Sequence, residues 1–250
     1  MKFLFVDGYD QLGRHAAMMV AGRVVVNPKV VLGLATGDSP VGLYRELVKL
    51  HREYGLDFSQ VRTFNLDEYA GLAPSHPQSY AHYMRSHLFD HVNVQSENTH
   101  LLDGVAPNQH GECIRYEEEI KLAGGIDFQV LGIGKNGHIA FNEPGDSFQV
   151  RTGIFELSDS TREANSRFFE SGESVPSHAL SVGIGTIMKA REILMIVSGS
   201  EKAAAIAASV FAPIDPKLPA SILKIHPNFT LLADRAAARD LLARDLSAYQ

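Results

Sequence analysis

Residues 132–145 read G-I-G-K-N-G-H-I-A-F-N-E-P-G and directly follow the apolar run Phe128–Leu131. A short apolar run bounded by glycine reads as a buried strand, so the chain leaves a sheet and enters a loop where His138 appears. His138 and Glu143 are five apart. On a helix they would face different sides, whereas a glycine-spaced loop folds back and lets the carboxylate orient the imidazole. A second reading competes on these residues alone. Asn136-Gly137 is a strong two-residue hairpin signal, with residues 130–133 and 139–141 as the paired strands and a surface histidine at the turn.

The rest of the chain supplies the context. Upstream, Lys2–Val6 reads as a strand and 11–25 as a helix, with Leu12, Ala16, Met19, Val20 and Arg23 at helical spacing before Asn27-Pro28 breaks it. Residues 30–34 are a second strand. The loop 35–40 then leads into a helix with Ser39 as N-cap, Pro40 at the first helical position and Leu43, Leu47 and Leu50 on the buried side. Residues 61–65 form a third strand, 79–88 a helix, and 108–123 a helix closed by Gly124-Gly125. Downstream come possible strand 179–182, strand Glu192–Val197, an alanine-rich helix, a further helix, strand 229–233 and a helix from Arg235. Strands alternating with helices predict an α/β fold: an open, largely parallel, Rossmann-like sheet with helices on both faces in three layers. No repeat or Pro/Ser-rich linker divides residues 1–250, which read as one domain. The polar segment 158–177 lacks a clean period, and a mobile lid and a plain surface excursion both remain open for it.

Four unusual loops share one address. Thr36–Ser39, Asp67, 136–143 and 198–202 each follow the C-terminal end of an expected strand, which is where open α/β sheets place their ligand crevice. This coincidence favours the active loop over the hairpin. Thr36, Gly37 and Ser39 at a helix start offer hydroxyls and free N–H groups to an anion, although an ordinary capped helix looks the same and the carboxylate of Asp38 counts against an anion. A second glycine-hydroxyl loop, Ser198-Gly199-Ser200, carries Lys202. Asp67 and Glu68 are adjacent on an extended chain, so at most one enters a given pocket. His82, His87, His91 and His100 show no ligand spacing, and Asp67, Glu68, His138 and Glu143 match no metal motif, so no metal is expected.

Composition narrows the classes. The formal charge is -6 with both signs mixed along the chain, which argues against binding nucleic acid or an anionic membrane through bulk attraction. Cys113 is the single cysteine and falls within a helical pattern, so it reads as packing rather than as a nucleophile or half of a disulfide. The apolar start is cut by Asp7-Gly8, too short for a signal-peptide core, and no apolar run spans a membrane. The expected setting is cytoplasmic.

Taken together, L-G-L-A-T-G-D-S-P (32–40), F-N-L-D-E-Y (64–69), G-I-G-K-N-G-H-I-A-F-N-E-P (132–144), N-S-R-F-F (165–169) and G-S-E-K-A (199–203) resemble the glucosamine-6-phosphate deaminase family, within the wider group of sugar-phosphate isomerases and 6-phosphogluconolactonases. The resemblance covers nearly the whole chain. It implies conversion of glucosamine 6-phosphate and water to fructose 6-phosphate and ammonia with no required cofactor. It also implies roles. Asp67 would move a proton between C2 and C1, and His138 would open the sugar ring, held and polarised by Glu143 and Asn136. Thr36, Gly37, Ser39, Lys202 and Arg167 would hold the phosphate and sugar. Some members carry aspartate in place of Asn136 and a small residue in place of Asp38. Gly153 and Phe155 replace the basic residues that bind an activator in allosteric hexameric members, so a monomer or small homo-oligomer is expected. A 6-phosphogluconolactonase is the alternative, and a non-catalytic sugar-phosphate sensor ranks below it, because a sensor needs no set of acid and base groups.

Overall fold

The computed structural model describes residues 1–170 and 172–249. In chain order the elements are β1 (Lys2–Val6), α1 (Tyr9–Val26), β2 (Val31–Leu34), α2 (Val41–Tyr54), β3 (Arg62–Asn65), β4 (Asp67–Tyr69), α3 (Tyr80–His87), β5 (Thr99–His100), α4 (Gln109–Leu122), β6 (Phe128–Leu131), β7 (Gly153–Glu156), α5 (Asp159–Ser166), β8 (His178–Ser181), α6 (Ile184–Ile187), β9 (Glu192–Val197), α7 (Ala203–Phe211), β10 (Phe229–Asp234) and α8 (Arg239–Leu242). Seven strands form the main sheet in the order β1-β10-β9-β6-β2-β3-β5, every pair parallel. Helices cover both of its faces. Arg23 of α1 lies over the ring of Phe128, whose register partner Leu32 pairs in turn with Thr63. Phe64, the next residue and so on the opposite face, meets Tyr116 of α4 edge to face. The central strands β2 and β6 are buried along their whole length, as a sheet covered on both sides requires.

The strand order locates the crevice. From β2 the chain steps outward to β3 and β5, then returns to lay β6 on the other side of β2 and continues to β9 and β10. The order therefore reverses between β2 and β6, and the loops leaving their C-terminal ends run in opposite directions, the place where open α/β sheets bind ligands. Those two loops are residues 35–40 and 132–145. On the first, α1 and α2 cross so closely that a Cβ on Gly13 would lie 2.7 Å from the backbone of Gly42.

Several expectations need correction. A second, antiparallel sheet of order β4-β8-β7 was not foreseen; Asp67 pairs with Ser181 in it. Its strands are three or four residues long and polar or glycine-bearing, below what alternation reveals. Ser39 does not cap α2. The helix begins at Val41 after Pro40, without a side-chain cap, because Asp38–Val41 closes as a turn first. Residues 132–145 form no hairpin: the only pairing there is an isolated bridge between Ile139 and Asn142. The last helix starts at Arg239 rather than Arg235, since Asp234 folds the chain into a turn by accepting from the Ala237 N–H. Within 158–177, α5 is a two-turn helix capped by Ser158, and the Leu157 N–H donates to the Ser177 carbonyl at the base of the segment. Beneath it lies a separate apolar cluster of Tyr69, Leu157, Phe169, Val175 and Ala179 with Phe141 from the glycine-rich loop. Cys113 is buried, and burial pushes its thiol up to about 11, which suits packing.

Candidate active site

The chain leaves β3 at Asn65, and Leu66 extends the main sheet by donating to the Leu34 carbonyl before the backbone turns into β4. Asp67 and Glu68 thereby face opposite ways, as adjacent residues on a strand must. Glu68 is structural: its carboxylate accepts from the N–H groups of Tyr69, Tyr80 and Ala81 at 2.8, 2.9 and 3.0 Å, anchoring the start of α3. Asp67 is buried, with no hydrogen-bond donor recorded for its carboxylate among the described residues. Burial, with the charge of Glu68, pushes its carboxyl up to about 8, whereas Glu68 is pushed by burial only to about 7 because its three donors oppose the shift. Tyr44, Tyr69 and Tyr80 surround Asp67 closely enough to feel its charge, and the Tyr80 hydroxyl also interacts with those of Tyr69 and Thr36.

The loop after β6 is shaped by its glycines. Gly137 has φ +86°, and a Cβ there would strike Leu218 at 2.2 Å, while a Cβ on Gly134 would lie 2.3 Å from the His138 ring. The imidazole thus packs on bare backbone. Ala140 sits at φ 48°, a conformation that costs a residue bearing a Cβ about 1 kcal/mol or more. The backbone turned there delivers Phe141, whose N–H donates to the hydroxyl of Ser181, the strand partner of Asp67. Phe141 also stacks on Tyr80 with ring centroids 5.9 Å apart. His138 and Asp67 are in this way brought to one side of the molecule, through Ser181 and Tyr80.

Glu143 folds back as its spacing suggests. Its Oε1 is 3.5 Å from His138 Nδ1 and accepts from the Thr161 hydroxyl at 2.5 Å. Its Oε2 accepts from Asn136 Nδ2 at 2.7 Å and from the Ser158 hydroxyl at 3.2 Å. Burial raises this carboxyl, but the hydrogen bond and charge of His138, then Thr161 and Asn136, outweigh it and bring it down to about 2. Asn136 reaches the histidine differently from the expectation: its Oδ1 accepts from the His138 backbone N–H, and its amide holds Glu143 rather than the ring. Thr161 and Ser158 were not foreseen. The only signal for them is the serine followed by an acidic residue that opens α5.

The third group lies around the β2–α2 loop. Three tyrosines brace it: Tyr44, Tyr83 and Tyr9 donate to the carbonyls of Ala35, Gly37 and Asp38 at 2.5, 2.6 and 2.8 Å. Gly37, at φ +96°, carries no side chain into the space before α2. Thr36 and Ser39 are half-buried beside it. Arg167, at the C-terminal end of α5, pairs with the Asp38 carboxylate. Lys202 Nζ donates to the Ile133 carbonyl at 2.8 Å, joining the glycine-serine loop to the histidine loop, and burial lowers its pKa. Lys135, overlooked in the sequence, lies near enough for its charge to act on Lys202. Among the described residues no group of three or more His, Cys, Asp or Glu side chains is placed to hold a metal ion, and no helix is long and apolar enough to cross a membrane.

The arrangement combines a buried carboxyl of raised pKa, a histidine faced by an ionised carboxylate, and a braced helix-start loop flanked by cations. It can move protons next to a bound anion. Comparison with known proteins agrees. The chain is 49% identical to a glucosamine-6-phosphate deaminase of Clostridioides difficile, over 98% of each chain. It is 48% identical to one of Halothermothrix orenii, over 95% of this chain and 99% of that one. The solved structure of a monomeric glucosamine-6-phosphate deaminase superposes with a TM-score of 0.94 at 43% identity, covering 96% of this chain and 100% of that one. A 6-phosphogluconolactonase of Trypanosoma cruzi shares the fold, with a TM-score of 0.76 at 19% identity over 96% of each chain. Residues 8–231 match the family described as glucosamine-6-phosphate isomerases/6-phosphogluconolactonase, and the chain belongs to that family.

Proposed function

We propose that this protein converts glucosamine 6-phosphate and water to fructose 6-phosphate and ammonia, as a cytoplasmic enzyme of amino-sugar breakdown. The observation that carries the reading is Asp67, a carboxyl that burial pushes up to about 8, linked through Ser181 to the loop that bears the His138–Glu143 pair. His138 takes the proton of the C1 hydroxyl and returns it to the ring oxygen, opening the sugar. Glu143 stabilises the imidazolium formed in between, and Asn136 fixes Glu143. Asp67 then removes the C2 proton, giving an enolamine, and delivers a proton to C1. Water adds at C2 and ammonia leaves, so atoms balance without an external cofactor.

The substrate itself completes the base. Its C2 ammonium sits next to the proton to be removed, and a cation there favours the ionised form of Asp67. The α2 start with Thr36, Gly37 and Ser39, and the cations Arg167 and Lys202, hold the phosphate. Segment 158–177 serves as a lid that carries Thr161 to Glu143 and Arg167 to the phosphate, within a single domain of residues 1–250. A monomer or small homo-oligomer fits Gly153 and Phe155, since neither offers charge to an activating anion. The test is to supply the purified protein with glucosamine 6-phosphate and, separately, with 6-phosphogluconolactone. Ammonia and fructose 6-phosphate in equal amounts support the reading. Lactone hydrolysis without ammonia would replace it with the lactonase.

A further inference from the structure

We propose that Asp38 is a built-in counter-anion, holding the guanidinium of Arg167 until the substrate phosphate takes its place, and so sets how strongly the site binds phosphate. The inference rests on the reading of Arg167 as a phosphate ligand. Asp38 stands at the tip of the β2–α2 loop, directly before the α2 N-terminus, where an anion is otherwise favoured. Its position is stiff: the Asp38 carbonyl accepts from Tyr9, whose hydroxyl also receives the Gly42 N–H at 2.8 Å. The carboxylate reaches across to Arg167, which is held from behind by the Phe168 ring, 4.5 Å from the guanidinium carbon. Asp38, Arg167, Lys135 and Glu201 all lie close enough to Lys202 for their charges to act on it. Positive groups from three separate loops therefore converge where Asp38 places its negative one.

The magnitudes favour exchange. The two side chains are 64% and 67% exposed, and an ion pair so open to water contributes about 1 kcal/mol at most. A phosphate dianion brings roughly twice the charge and a bidentate fit to arginine, and it gains the α2 N-terminus as well. Phosphate wins, but binding is weakened by what the Asp38 pair was worth. In a chain with a neutral residue at this position, Arg167 meets the phosphate without first giving up a partner.

A double-mutant cycle decides it, reading KM for glucosamine 6-phosphate and the competitive inhibition constant of inorganic phosphate. Asp38→Asn should lower both by up to about five-fold, the equivalent of an exposed ion pair. Arg167→Ala should raise both, and Asp38→Asn added to Arg167→Ala should lower them by clearly less than it does in the unaltered protein, because only the direct repulsion between carboxylate and phosphate is left to relieve. Constants that rise or stay put in Asp38→Asn overturn the proposal, as does an undiminished effect in the Arg167→Ala background. Arg167→Ala without effect on either constant would instead overturn the phosphate-ligand reading beneath it.

Discussion

Replacing Asp67 by asparagine should abolish turnover and at the same time stabilise the protein at alkaline pH. Burial and the charge of Glu68 push the Asp67 carboxyl up to about 8 from an ordinary 3.8. In the unfolded chain Asp67 ionises near pH 4, while the folded protein keeps the proton until about pH 8. Folding is therefore penalised progressively as pH rises between those values, and the penalty is complete above them. A shift of roughly four units at about 1.4 kcal/mol each sets a ceiling of about 5–6 kcal/mol. An asparagine amide buried there gives back about 1–3 kcal/mol of that, leaving a net gain of roughly 2–5 kcal/mol. For a chain of this size that is a rise in Tm of about 5–15 °C at pH 8.5, turning into a loss of a few degrees near pH 4, where Asp67 carries no ionisation penalty and only the cost of the amide remains. Calorimetry across pH measures it. Ammonia release, followed in parallel, should fall ~10²- to 10⁴-fold, the usual worth of a positioned acid–base group. A Tm lowered at pH 8.5, or turnover close to that of the unaltered protein, would refute the reasoning.

Other predictions follow from the same geometry. The acid limb of kcat/KM should lie near pH 8, where free Asp67 ionises, while that of kcat should lie lower because the bound ammonium favours the carboxylate; coincident limbs would contradict this. Gly134→Ala should keep the fold by circular dichroism and lose about 10²-fold in turnover, since the added Cβ would sit 2.3 Å from the His138 ring and push it off position. Glu68→Gln should destabilise the protein by about 1–3 kcal/mol in urea at pH 4.5, because the amide NH2 meets the Ala81 N–H in place of an acceptor, and the loss should shrink above pH 7, where the unaltered protein carries the cost of an ionised Glu68.

The main sheet was legible because β2, β6, β9 and β10 are runs of apolar residues closed by glycine or turn residues, and because burial on both faces leaves that mark. The loops holding 36–39, 136–143 and 198–202 were legible from the same rule, since each leaves the C-terminal end of a main-sheet strand, whereas Asp67 stands in β4 itself. The small sheet was not: β4 is Asp-Glu-Tyr, and its pairing with β8 depends on a return from more than a hundred residues away. The contribution of α5 was hidden for the same reason. Thr161 and Ser158 reach Glu143 only once β7 and β8 have paired and folded the segment back. Asp38 looked wrong for an anion loop until Arg167, equally remote in sequence, was found holding it. Asn136 contacts Glu143 and the His138 backbone rather than the imidazole, a distinction that depends on side-chain direction within a glycine turn.

The central claim is that the hydrogen on C2 of the amino sugar leaves as a proton through Asp67. Glucosamine 6-phosphate deuterated at C2, turned over by the purified protein and analysed by NMR and mass spectrometry, tests it most directly. The account predicts fructose 6-phosphate with the deuterium on C1 or lost to solvent, at a rate that collapses in Asp67→Asn. Release of ammonia with the deuterium still on C2, or deuterium transfer undiminished in Asp67→Asn, would contradict it.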